Sequence, residues 1–200
     1  MKYLSIDLET TGLNPTRSLV LEFGCVYDDG SKPVEELPWL RLLLKHDVYY
    51  GEARALSMNA KILDEIEAGG PHVITPNELF EYFAQWLNNL GIDRQKKLVA
   101  AGKQFAGFDR NFLRTLPGFD VPGGVNFHHR ALDPTMLYFD PDTDEVPPGT
   151  EECCKRAGIE AEGLHTSIGD ARTVCRLIRR GFARRQFNVV SEETNDSTAA

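Results

Sequence analysis

The stretch Asp7-Leu8-Glu9-Thr10-Thr11-Gly12-Leu13 places two carboxylates one residue apart at the end of an apolar run. From Leu4 to Glu9 the residue types alternate. Leu4, Ile6 and Leu8 would face one side of a strand, and Ser5, Asp7 and Glu9 the other. Two acids on one strand face repel each other and are costly to bury unpaired. A divalent cation removes both costs. A solvated strand edge would also tolerate the pair, so the rest of the chain has to decide between the two readings.

Two other places offer matching chemistry. Asp109, in Lys103-Gln104-Phe105-Ala106-Gly107-Phe108-Asp109, lies near the start of an amphipathic segment with Phe108, Phe112 and Leu113 on its apolar side. Alone it reads equally as a first-turn acid that complements a helix dipole. The stretch from His165 to Arg172 holds His165 ahead of a helix and Asp170 in that helix's first turn. A histidine titrates near neutrality and can take a proton there. A carboxylate one turn away could anchor a metal beside it.

The elements that must position these groups run strands first, then helices and strands in alternation. Strands are expected at residues 2–9, at Leu19–Tyr27 and within Pro38–Lys45, with Asp28-Asp29-Gly30 as a hairpin turn. Three consecutive antiparallel strands follow from that order. A helix is expected from Ser57 to Ala68, stopped by Gly69-Gly70. Another opens on Thr75-Pro76-Asn77-Glu78, a capping box with proline at the first helical position. A strand at Lys97–Ala101 and a helix at Gly107–Thr115 carry Asp109. Val125–His129 reads as a last strand, and Pro134–Tyr138 and Thr150–Ala157 as short helices around the acidic loop Phe139–Pro148. The final helix spans Ile168–Phe182, with Ile168, Ala171, Val174, Cys175, Ile178 and Phe182 as its core stripe. One domain over residues 1–187 is expected, with residues 188–200 as a disordered polar tail.

Together these motifs resemble the DEDDh family of 3′→5′ exonucleases, which includes replicase proofreading subunits, ribonuclease T and oligoribonuclease. The resemblance rests on Asp7 to Leu13, on Phe108-Asp109 at a helix start, and on His165 followed by Asp170-Ala171. It spans residues 4–180. It implies an α/β, ribonuclease H-like fold: a mixed five-stranded sheet, three antiparallel strands first, flanked by helices. It implies Asp7, Glu9, Asp109 and Asp170 as ligands of two divalent cations, Mg²⁺ or Mn²⁺, with Asp7 bridging them and His165 as general base. Thr10, Thr11 and Leu13 would line the pocket for the terminal nucleotide, and Phe108 would support the helix that carries Asp109. Two departures stand out. Many members have an asparagine four residues before the third acid; here that position is Phe105, beside Gln104. Oligoribonucleases usually have methionine where this chain has Thr10.

The implied activity is metal-dependent hydrolysis of phosphodiester bonds from the 3′ end of single-stranded DNA or RNA, or of short oligonucleotides, releasing nucleoside 5′-monophosphates. Two hard cations suit carboxylate ligands and a reaction that adds hydroxide to an anionic phosphorus. The alternative is a non-catalytic or partner-dependent proofreading or nucleic-acid-binding module of the same fold. An endonuclease or integrase-like enzyme of the broader fold ranks lower, because the His165–Asp170 pairing does not suit it.

Composition narrows the classes further. A net charge of −8 over 200 residues argues against a coat of duplex nucleic acid and for a small footprint at one strand end. No apolar run is long enough to span a membrane. The N-terminus enters the first strand at once, so no leader and a cytoplasmic location are expected. Cys25, Cys153, Cys154 and Cys175 form no C-x-x-C pair and read as reduced thiols. The resemblance also allows a homodimer. The late arginines Arg172, Arg176, Arg179, Arg180, Arg184 and Arg185 fall opposite the core stripe, either as a solvated helix face or as a guide for an incoming strand.

Overall fold

A computed structural model describes residues 1–160 and 166–196, with side chains as far as residue 183. β1 (Tyr3–Thr10), β2 (Val20–Asp28) and β3 (Trp39–Leu44) form an antiparallel meander. The expected antiparallel start of the sheet is therefore borne out. α1 (Ala53–Met58) and α2 (Ala60–Ala68) follow, then β4 (Val73–Ile74), α3 (Leu79–Asn89), β5 (Ala100–Ala101), α4 (Asp109–Leu113), α5 (Thr150–Ala157) and α6 (Ser167–Asp196). The sheet order is β4-β3-β2-β1-β5, with β4 and β5 parallel to their neighbours.

The sheet has five strands, as expected, but the fifth is not the one the sequence suggests. Val125–His129 makes only isolated bridges, such as Leu98 to Phe127. The fifth strand is β4, at the opposite edge, two residues long and too short to show any alternation. The helix expected from Ser57 is two helices that meet at Asn59, whose φ of −94° and ψ of 17° break the run. Asn59 spends its side chain elsewhere: Nδ2 donates to the carbonyl of Thr10 at 3.0 Å. Gly69, at φ 74°, ends α2 in a conformation glycine adopts without strain. The Thr75 capping box forms as expected, with Glu78 accepting from the Thr75 N–H at 2.7 Å, and opens a 3₁₀ turn that leads into α3.

Period-two alternation sorts the core into two layers. Leu4, Ile6, Leu8, Phe23, Cys25, Leu42 and Leu44 face α3 and α4, where they meet Leu79, Phe83, Leu87, Phe112 and Leu113. The other face lies under α6, with Tyr3 and Val26 against Ala171, Cys175 and Ile178. A β-bulge between Glu9 and Thr10 leaves Leu21 as an extra residue on β2. Leu21 packs with Leu43, Ile62 and Ile66 under α2. The helical backbone of α6 begins at Ser167 and continues to Asp196, through the stretch read as a tail.

Candidate metal centre

The α6 face of β1 reads Tyr3, Ser5, Asp7, Glu9. Its first two members are spent on structure. Tyr3 Oη donates to Asp28, and Ser5 Oγ donates to the carbonyl of Ala171 at 2.8 Å. That second bond seats α6 across the strand. One helical residue earlier, Asp170 comes to the end of the strand where Asp7 and Glu9 project. Carboxylate oxygens of Asp7, Glu9 and Asp170 lie within 4.8 Å of one another.

Thr166 caps α6: its carbonyl accepts from the Asp170 N–H at 2.9 Å and its hydroxyl from the Gly169 N–H at 3.2 Å. Asp170 thus lies in the first turn, where the helix dipole favours an acid.

Asp109 reaches the same region from the other side. β5 ends at Ala101, so the ladder beside β1 stops there. The Asp109 carboxylate continues it, with Oδ1 accepting from the Leu8 N–H at 3.1 Å. Asp109 is only 3% exposed. Among the described residues, the oxygens that fall within 4.8 Å of one another are those of Asp7, Glu9 and Asp170, and Asp109 is not in that group. It acts on Asp7 as a neighbouring negative charge. α4, which carries Asp109, is fixed by Arg110. Arg110 Nε donates to Asp120 at 2.6 Å, and Arg110 also donates to the carbonyls of Phe127 and His128.

The electrostatics show strain of one sign. Burial pushes the Asp7 carboxyl well above the usual range, and the charges of Asp109, Asp170, Glu9 and Glu22 add to the shift. Glu9 is raised to about 7, first by burial and then by Asp170 and Glu22, while the Asn59 side chain offsets part of the shift. Asp109 is raised to about 7, chiefly by burial, against its backbone hydrogen bonds. Hard oxygen donors, crowded and partly desolvated, form a donor set that suits Mg²⁺ or Mn²⁺.

No family model and no curated protein sequence matches the chain. Solved structures do. Exonuclease I of E. coli in complex with a dA16 oligonucleotide aligns at TM-score 0.64 and 17% identity, over 96% of this chain and 42% of that chain. Exonuclease I of Methylocaldum szegediense aligns at 0.62 and 16%, over 92% and 41%. Pop2p of S. pombe, in its Mg²⁺- and Mn²⁺-bound form, aligns at 0.62 and 16%, over 88% and 81%. The chain has the ribonuclease H-like fold of these exonucleases. It spans less than half the length of the Exonuclease I chains.

On this exonuclease fold, the other expected site residues take distinct positions. His165 lies outside the described residues. Thr10 and Thr11 are buried and use their hydroxyls to shape the turn after β1. Thr10 Oγ1 donates to the Gly12 carbonyl at 2.8 Å, and Thr11 Oγ1 accepts from the Leu19 N–H at 2.7 Å. Leu13 is 73% exposed at the tip, its N–H held by Glu52 at 2.9 Å. Phe108 leans on Phe112, with ring centroids 5.0 Å apart, at the start of α4. Phe105, at the asparagine position of the resembled family, is a core residue packed edge-on against Phe127. Gln104 beside it adopts φ 60°, with its N–H bonded to Asp133.

Sequence reading missed Glu22 and Asn59. The signal for Glu22 was present: a lone acid in the otherwise apolar run Val20–Val26, where burial without partners is costly. Of the late arginines, Arg184 and Arg185 have side chains outside the described residues, and Arg176, Arg179 and Arg180 are engaged internally. Arg176 pairs with Glu35 at 2.9 Å, Arg179 pairs with Asp28 at 2.6 Å, and Arg180 donates to the Ala157 carbonyl at 3.2 Å.

Proposed function

We propose that residues 1–187 form a metal-dependent 3′→5′ exonuclease that removes nucleoside 5′-monophosphates from the 3′ ends of single-stranded DNA or RNA. The observation that carries this reading is the convergence of Asp7, Glu9 and Asp170 within 4.8 Å on an exonuclease fold. Solved relatives of the fold hold dA16 and dT13 oligonucleotides, which supports a single-stranded substrate here. Pop2p, with Mg²⁺ and Mn²⁺ bound, supports the choice of ions.

Asp7, Glu9, Asp109 and Asp170 would hold two divalent cations, which lower the pKa of the attacking water and neutralise charge on the phosphate and the leaving oxygen. The chain's own residues do the rest. β1 fixes Asp7 and Glu9 on one face, and the bond from Ser5 to Ala171 fixes the helix that carries Asp170. Exposed Leu13 offers an apolar surface to the terminal base, on a turn held rigid by Thr10, Thr11 and Glu52. His165 takes the proton of the attacking water. Four buried free cysteines suit a reducing, cytoplasmic setting. No helix among the described residues is long and apolar enough to cross a membrane.

The test is a ladder assay on 5′-labelled DNA and RNA oligonucleotides with Mg²⁺ or Mn²⁺, comparing wild type with Asp7→Ala. Metal-dependent shortening from the 3′ end, absent in Asp7→Ala, is expected. Tight binding without cleavage would instead identify a binding module or an enzyme that needs a partner. In His165→Ala, the acid limb of the pH–rate profile should disappear; an unchanged profile removes His165 from the base role.

A further inference from the structure

Glu22 is wholly buried, yet it is not among the expected ligands. It stands directly opposite Glu9 across the β1–β2 ladder. Like charges in that position destabilise a sheet, and an apolar residue would suit the run Val20–Val26 better. The acid is kept, with partners from two other elements. Arg41 Nη2, from β3, donates to Oε2 at 2.6 Å. Ser167 donates to Oε1 twice, from its N–H at 3.0 Å and from its hydroxyl in a short bond. The second arm of Arg41 reaches Glu65 of α2 at 2.7 Å, so the arrangement spans α2, β3, β2 and α6.

Ser167 is the first residue of α6, three before Asp170 and two after His165. Glu22 therefore acts as a cap supplied by another element: a carboxylate that accepts an orphan N–H at the positive end of a long helix. Gly24, two residues along the same face of β2, provides the clearance. A Cβ there would lie 2.3 Å from Ser167 Oγ and 2.7 Å from the Ser167 carbonyl carbon. The strand and the helix start are in backbone-close contact, with one buried acid tying them together.

We infer that Glu22 is a positioning residue for the metal centre: by holding Ser167 it sets where the first turn of α6 presents Asp170 opposite Asp7 and Glu9. This rests on the proposed reading of the three acids as metal ligands. Glu22 itself touches no reacting atom.

Two variants separate position from charge and from folding. Glu22→Gln removes the charge and weakens both bonds to Ser167. Ser167→Ala removes only the hydroxyl bond and leaves every charge in place. The primary readout is Mn²⁺ affinity, measured by titration calorimetry on the whole chain, with kcat, KM and Tm alongside. Loss of outer partners of this kind typically weakens metal affinity or activity by about 10- to 100-fold. We expect a loss of about tenfold or more in Mn²⁺ affinity for Glu22→Gln and of severalfold for Ser167→Ala. kcat should fall and KM change little, and the double variant should be no worse than Glu22→Gln. A merely structural Glu22 would lower Tm and leave the Mn²⁺ affinity of the folded fraction unchanged, and that result overturns the inference. If Glu22→Gln does not fold, Ser167→Ala decides alone: unchanged Mn²⁺ affinity overturns the inference, and a severalfold loss supports it. If the wild type binds Mn²⁺ but cleaves no oligonucleotide, the exonuclease reading fails, while weaker Mn²⁺ binding in the variants still supports positioning. If the wild type binds no Mn²⁺, both fail.

Discussion

Asp7 and Asp28 stand on adjacent strands, on the same face of the sheet, under the same helix, yet their carboxyls move in opposite directions. Asp28, 1% exposed, accepts from Tyr3 Oη at 2.7 Å, from the Gly30 N–H at 2.8 Å and from two arms of Arg179. Burial pushes its carboxyl up, but the bonds from Arg179, Tyr3 and Gly30 outweigh that and hold it below the usual range. Burial also pushes Asp7 up, and each charge that adds to the shift is another acid. Burial raises both carboxyls; the partners decide the sign. One end of the face is a matched structural clasp. The other holds charge that a cation would complete.

The sharpest way to break this contrast is to neutralise each aspartate. Asp7→Asn should cut activity by at least about 10²- to 10³-fold, as expected when a transition-state electrostatic contact is lost. It should also leave the metal-free protein as stable or more stable at pH 8, because it removes repulsion. Asp28→Asn should do the reverse: activity per folded molecule is kept, and chemical denaturation shows a loss of about 2–4 kcal/mol, since Arg179 and Tyr3 lose their charged acceptor.

pH sharpens the contrast further. Glu9 and Asp109 titrate near 7 in the fold, and Asp7 is raised as well, against about 4 in the unfolded chain. The native state then holds more protons between about pH 4 and 7, so these acids make the metal-free protein lose stability as pH rises through that window. Asp28 has the opposite sign. Its contribution is complete above about pH 4 and is lost as pH falls through its lowered value. Mg²⁺ at about a hundred times its Kd should stabilise the protein by about 2.7 kcal/mol at pH 8 and by much less at pH 5. Melting curves with Mg²⁺ and with a chelator at the two pH values measure this, and equal shifts would remove the acids as the binding site.

Smaller effects follow away from both centres. Asn59→Ala leaves the Thr10 carbonyl without its donor and should cost about 1–2 kcal/mol, with a modest fall in metal affinity through Glu9. Glu35→Ala breaks only an exposed pair with Arg176 and should change stability by less than about 0.5 kcal/mol.

What the sequence made legible follows from the range of the forces involved. The alternation that put Asp7 and Glu9 on one face is local, as are the helix start at Asp170 and the Thr75 capping box, and all three appear in the fold. The convergence of β1 with α6 came from resemblance rather than from any local signal. Glu22 was overlooked because its partners lie 19 and 145 positions away, on Arg41 and Ser167. The break at Asn59 was hidden for a similar reason: its side chain serves Thr10, 49 positions away, so the local helix pattern held no trace of it. β4 is two residues long, and its place in the sheet depends on the β3 edge it joins. Arg176, Arg179 and Arg180 read as available because Glu35, Asp28 and the Ala157 carbonyl lie far from them along the chain.

Gly24 has a consequence in the language of genetics. Any side chain there must push the start of α6 away from β2, and the displacement falls three residues from Asp170 while most of the core stays intact. A Gly24→Ala allele would accumulate as soluble, folded protein and yet behave as a loss of function, rescued in part by excess metal. A selection that kept solubility and discarded activity would find this position without ever touching a ligand.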